Sequence, residues 1–192
     1  QCCGIDPSKE VSGYAKSRNI YVECMGWEDS GYPINFSDGC AVTYSCISAL
    51  WLMEHLPKPF DFLSWARAHL APGGVLLLAV PNEWTITQYQ ANQLATLKNW
   101  WVHPTHLNYW SSATLYGMLG RAGFRVVDCI GTFQVEDMIL KGYDYPGNEK
   151  LGDELHAKVR EAELSMQREF RISAQKQGAL MGQGRDLVVV CK

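Results

Sequence analysis

Tyr44 to Glu83 reads YSCISALWLMEHLPKPFDFLSWARAHLAPGGVLLLAVPNE, and its punctuation decides the fold. Tyr44 to Ala49 is a short run able to sit in a sheet. Pro57 and Pro59 break the chain after it, because proline lacks a donor and pushes the preceding residue out of the helical region. Phe60, Leu63, Ala66 (or Trp65) and Leu70 then fall close to helical spacing. Pro72-Gly73-Gly74 is expected to end that helix in a turn. Val75 to Val80 is apolar without alternation, as in a parallel strand buried on both faces, and Pro81-Asn82 stops it. Strand, helix and apolar strand in that order predict a parallel α/β sheet.

Working outward, Ile20 to Met25 reads as the preceding strand and Ser8 to Ser17 as a helix, with Pro7 suited to its first turn. Cys2 to Asp6 reads as the end of a strand, and Ser30 to Cys40 as a loop. Downstream, Gln88 to Leu97 is expected to be helical, and Ser111-Ser112 to open a helix through Leu119 that Gly123 ends. Phe124 to Ile130 and Leu187 to Cys191 read as strands. Between them, Leu151, Leu155, Val159, Ala162, Met166 and Phe170 recur at three or four residues and predict one long amphipathic helix. The organisation expected is a single domain over 1–192, with an α/β core to 131, a helical insertion over 132–182 and a final strand from 183.

The bulk properties exclude several classes. A length of 192 residues with 47% hydrophobic and 19% charged content suits one globular domain. A net charge of −3 carries no basic signature for nucleic acid or an anionic membrane surface. No apolar run reaches the length of a membrane span. Seven cysteines without C-x-x-C spacing, several inside apolar runs (Cys46, Cys129, Cys191), predict buried free thiols in a reducing cytoplasm.

Trp51-Leu-Met-Glu-His-Leu-Pro-Lys-Pro59, Leu70-Ala-Pro-Gly-Gly74, Val80-Pro-Asn82, His106-Leu-Asn-Tyr-Trp110 and Ala122-Gly-Phe124 stand in a telling order. In that order they resemble the landmarks of class I S-adenosylmethionine-dependent methyltransferases, in the branch met among bacterial sugar-modifying enzymes. The resemblance implies a Rossmann-like three-layer α/β sandwich, mostly parallel, with strand order 3-2-1-4-5-7-6. It implies S-adenosylmethionine as cofactor and methyl transfer to a small acceptor, such as a sugar or sugar derivative. The glycine-rich turn of such folds lies about 20 residues before the acidic ribose contact. Five residues before Asp6 cannot hold it, so an amino-terminally truncated member lacking strand 1 is expected, with weakened cofactor binding. Gly182-Gln-Gly184 precedes a strand instead of following one and reads as a plain turn.

The resemblance places the ribose contact at Asp6 beside Ser8 and the adenine at Trp27 with Glu28 or Asp29, while Ser48, Ala49 and Leu50 at the carboxyl end of the strand either leave room for the methionine part or pack on a neighbouring helix. Read from the residues alone, Asp6-Pro7-Ser8 is equally a helix start, and Trp27 to Asp29 an acidic turn. Ser45 stands where the family usually has an acidic residue. His55 is a candidate base or a loop brace. The Trp100 to Trp110 segment, with His103 and His106, reads either as a substrate-facing lid or as a packed loop. Trp51, His106, Tyr109 and Trp110 are the acceptor candidates and His55, His103 and His106 the catalytic ones. No metal is expected, for want of further ligands nearby. A homodimer through the helical insertion is a further expectation. The rival readings are an NAD-type oxidoreductase, for which Asp6 would serve equally well, and an inactive binding module.

Overall fold

The computed structural model describes residues 3–29 and 43–192; the expectations for Cys2 and for Ser30 to Cys40 lie outside the described residues. The chain opens with a short parallel unit: β1 (Gly4–Ile5), α1 (Lys9–Ser17) and β2 (Val22–Glu23). Ser8 caps α1, its hydroxyl accepting from the Val11 amide at 3.2 Å, so Pro7 stands just outside the helix instead of in its first turn. The expected strand from Ile20 to Met25 shrinks to Val22–Glu23 for a local reason. Asn19 takes a left-handed conformation (φ 57°), and the amides of Asn19 and Ile20 return to the carbonyls of Lys16 and Ala15. Ile20, the first residue assigned to the strand, is therefore consumed in closing the helix.

A second sheet carries β3 (Tyr44–Leu50), β4 (Leu70–Pro81), β5 (Val126–Gly131) and β6 (Asp186–Cys191) in the order β3-β4-β6-β5. β3 runs parallel to β4, while β6 is antiparallel to both of its neighbours. Helix α2 (Pro59–His69) makes the crossover from β3 to β4, with Pro59 in its first turn. The turn expected at Pro72 to Gly74 lies inside β4. Pairing passes from Tyr44↔Leu70 to Cys46↔Val75, so the intervening residues bulge out, with Gly73 at φ 79°. A side chain on Gly74 would stand 2.9 Å from the carbonyls of Ala71 and Tyr44, which only glycine tolerates.

The main core forms where alternate residues of the strands meet the helices. Leu76, Leu78 and Val80 of β4 and Leu187, Val189 and Cys191 of β6 are fully buried. They pack with Phe62, Leu63 and Ala66 of α2 and with Leu115 and Leu119 of α4 (Ser112–Arg121). Ser111 and Thr114 start α4 with a reciprocal capping box, and Gly123 (φ 81°) ends it. Cys46 and Cys24 are exposed and Cys3 and Cys129 half-buried, so of the described cysteines only Cys191 matches the buried-thiol expectation. No helix among the described residues is long and apolar enough to cross a membrane.

A satellite core joins α3 (Ile86–Leu94) to α5 (Asp137–Leu140) and α6 (Glu149–Ser165) through Ala91, Val135, Ile139, Tyr145 and Leu155. The expected single long helix is two, α6 and α7 (Arg168–Leu180), with Met166 extended between them. The break has a tertiary cause. The Arg171 guanidinium of α7 donates to the carbonyls of Glu163 and Leu164 at the end of α6, and Gln175 reaches the Glu163 carboxylate. The last turn of α6 is thus capped from the next helix. Ala162 and Phe170, counted in the apolar stripe, are exposed. Arg185 at the head of β6 donates to buried Glu136 at 2.6 Å and ties the insertion to the sheet.

Candidate functional site

Among the described residues the two sheets are separate, and a cavity of about 460 Å³ lies between them. Main-chain groups face it from both sides. Gly4 and Asp6 donate to Tyr21 and Glu23 of the β2 segment, so the pleat turns Ile5 toward the cavity. Likewise Trp51 donates to Ala79 at 2.8 Å, which sets alternate residues toward β4 and turns the amide and carbonyl of Ser48 the other way. Ile47, Ala49, Leu52, Phe62 and Trp65 make the walls apolar, while Glu28 and Ser48 add polar groups. Trp27 leans edge-on against Phe62, with ring centroids 5.7 Å apart.

Of the residues expected to hold a cofactor, Trp27, Glu28, Ser48 and Ala49 line this cavity together. Asp6 lies between two lining residues, Ile5 and Pro7, and its Oδ1 accepts the Ser8 amide at 2.8 Å. Ser8 is engaged as the cap of α1, and Leu50 is exposed away from the lining. Gly182 to Gly184 is a packing turn. Asn82 Nδ2 donates to both glycine carbonyls, at 3.1 and 2.9 Å, and Gly184 stands back to back with Gly131.

At the carboxyl end of β3 the chain leaves the sheet through Trp51 (φ 50°) and passes under the segment around His106. The Glu54 carbonyl accepts the amides of Leu107 and Asn108 at 2.8 and 3.0 Å. The Asn108 side chain donates to the carbonyls of Met53 and Leu56 at 3.1 and 2.7 Å. The His-Leu-Asn landmark is therefore a clamp on the Glu-His landmark. It brings together Glu54, His55 and His106, with one ligand-type atom of each within 4.8 Å of the others. Leu52 and Leu56, which flank Glu54 and His55 in sequence, line the cavity.

The cluster combines a buried acid with two imidazoles. Glu54 is 1% exposed, and among the described residues its Oε2 has no hydrogen-bond partner. Burial raises its carboxyl above the usual range. His106 Nδ1 is also buried without a partner, and burial lowers that imidazole. His55 Nδ1 sits 3.0 Å from the Thr105 carbonyl, which fixes the proton there and leaves Nε2 as the open nitrogen, 4.0 Å from Glu54 Oε1.

The remaining candidates divide. His103 is braced on the Thr105 hydroxyl at 2.8 Å, and Tyr109 donates to the His103 carbonyl at 3.3 Å beside the His106 ring. Trp51 is exposed and its indole nitrogen reaches Asp186 at 3.4 Å. Trp110 is not a surface aromatic: at 4% exposed it belongs to the main core, because the chain turns inward there to start α4. Glu54 went unassigned in the sequence, where nothing distinguishes a buried carboxylate from a solvated one in a proline-rich turn.

A family model described as a methyltransferase domain matches residues 1–128. No curated protein matches the chain. Among solved structures, a SAM dependent methyltransferase from Archaeoglobus fulgidus is similar over 99% of this chain and 75% of its own, at 14% identity and a TM-score of 0.59. The cyclopropane synthase MmaA2 from Mycobacterium tuberculosis is similar over 99% and 69%, at 18% identity and 0.55. The [4+2]-cyclase SpnF is similar over 100% and 66%, at 15% identity and 0.54. Likeness at such identities is one of fold, and these names show one fold carrying different chemistries.

Proposed function

Because this chain belongs to the methyltransferase-domain family whose model covers residues 1–128, we propose that it transfers a methyl group from S-adenosylmethionine to a small acceptor bound beside Glu54, His55 and His106. One observation carries the reading: the cavity lined by Trp27, Glu28 and Ser48 adjoins the turn that holds the cluster, through Leu52 and Leu56. Its volume lies within the about 300–1,000 Å³ usual for small-molecule sites, and its apolar walls with few polar groups suit a nucleoside. Trp27 offers a ring face, Glu28 a carboxylate for donor groups, and Ser48 and Ala49 leave space. Asp6 keeps a second carboxylate oxygen beyond the one used by Ser8.

The donor, when bound, supplies an electrophilic sulfonium methyl. What the chain must add is alignment of the acceptor and a destination for its proton. With no ion bound, Glu54, His55 and His106 form the proton sink, with His55 Nε2 its open nitrogen. Tyr109, half-exposed beside the His106 ring, and exposed Trp51, next in chain to Leu52 of the cavity wall, supply aromatic faces, which favours an acceptor with a ring-shaped surface such as a sugar.

The test is turnover at millimolar cofactor, read as demethylated donor and as added mass on a panel of sugar and phenolic acceptors. Ser48→Trp, which fills the cavity, should abolish turnover in a folded protein, whereas Tyr109→Ala should change the acceptor KM. Turnover by Ser48→Trp at the parent rate would remove the cavity from the reaction.

A further inference from the structure

We propose that Glu54, His55 and His106 form a binding site for one divalent transition-metal ion of the zinc type. A carboxylate and two imidazoles are the donor set that zinc takes with three protein ligands and an open fourth position. Three independent observations support it. The ligand atoms converge within 4.8 Å, on three side chains held by a hydrogen-bonded clamp instead of a free loop. Two of the groups carry buried polar atoms with no partner among the described residues, Glu54 Oε2 and His106 Nδ1. The third, His55, has its Nδ1 set against the Thr105 carbonyl, the outer hydrogen bond that orients a ligating imidazole through its other nitrogen.

The energetics point the same way. A carboxylate that is 1% exposed with one oxygen unpaired is costly as an anion unless a cation neutralises it. His55 Nε2 and Glu54 Oε1 are 4.0 Å apart, too far for a hydrogen bond. Ligands on a tetrahedral ion with bonds of about 2.0–2.1 Å stand about 3.3–3.4 Å apart. The exposed His55 ring can close that difference by rotation, and His103, tied to Thr105, stays outside the set. The open position would face the acceptor side. That consequence rests on the methyl-transfer reading, but binding of the ion does not.

The experiment uses the untagged chain, stripped with a chelator and titrated with Zn²⁺ against a chromophoric competitor, then with Co²⁺ for its visible spectrum. No methyl donor is present, so failure of the methyl-transfer reading leaves this result untouched. One Zn²⁺ per chain and a tetrahedral Co²⁺ spectrum are expected. His55→Ala and His106→Ala should each weaken binding by more than about 100-fold, beyond the about 10–100-fold typical of outer-shell changes. His103→Ala should leave it unchanged. Glu54→Asp should retain the ion more weakly, and circular dichroism verifies each fold. Because His55 is exposed, its removal tests the site even where a Glu54 variant fails to fold. Absence of a bound ion, or binding indifferent to His55→Ala, overturns the site and leaves the cluster as a metal-free proton sink.

Discussion

Glu54 is the residue on which the site's chemistry and the chain's stability meet. Burial raises its carboxyl, so the folded state holds a proton that the unfolded state gives up near 4.5. Protons bound to the folded form exceed those on the unfolded form from there up to the raised value, and stability falls as pH rises through that window. Glu54→Gln removes the ionisation. In chelator, the melting temperature of Glu54→Gln relative to the parent should therefore climb from pH 4.5 upward and level off once the raised value is passed. A difference that is flat with pH would mean that the carboxylate is already neutralised. At this scale the sequence was partly legible. Trp27, Glu28, Ser48 and Ala49 do share one cavity, and His55 and His106 do meet. Trp110 and Ser8 could not be placed, because a core tryptophan and a stacking one, or a capping serine and a binding one, are the same letter until packing and hydrogen bonds are known.

Among elements, the contact between the turn after β3 and the segment before α4 carries the cluster. Asn108 is the joint: its side-chain amide holds two carbonyls of the turn. Asn108→Ala should cost about 1–3 kcal/mol, two hydrogen bonds at about 0.5–1.5 each. The variant should also loosen the cluster, so that protection of the Leu107 amide from hydrogen exchange drops together with the melting temperature. Loss of stability with full protection would show that backbone bonds alone position Glu54. Strands and short helices were legible because apolar runs and caps are local signals. β3, α2, α4 and β6 lie within a residue or a few of their expected spans. The break at Met166 and the bulge at Gly73 were not. The first depends on Arg171 reaching back across a helix junction, and the second on which residues β3 chooses to pair.

For the whole molecule, the strand order was legible through the resemblance and not through periodicity. β2-β1 and β3-β4-β6-β5 follow the family order on either side of the cavity. Among the described residues no glycine-rich turn lines that cavity, since Gly182 to Gly184 packs on Asn82 instead. The separation of the sheets also bears on how the chain comes apart. Among the described residues β1, α1 and β2 contact mainly one another, and the rings of Trp27, Phe62 and Trp65 help draw them to the rest. Rings without a shared ladder of main-chain bonds couple two bodies loosely, so cooperativity should fail at that seam. In denaturant, amides of α1 should exchange at a lower opening free energy than those of β4 and β6, and Trp27→Ala should widen the interval. A single transition reported identically by every amide would mean that the seam is tight enough to make two sheets unfold as one.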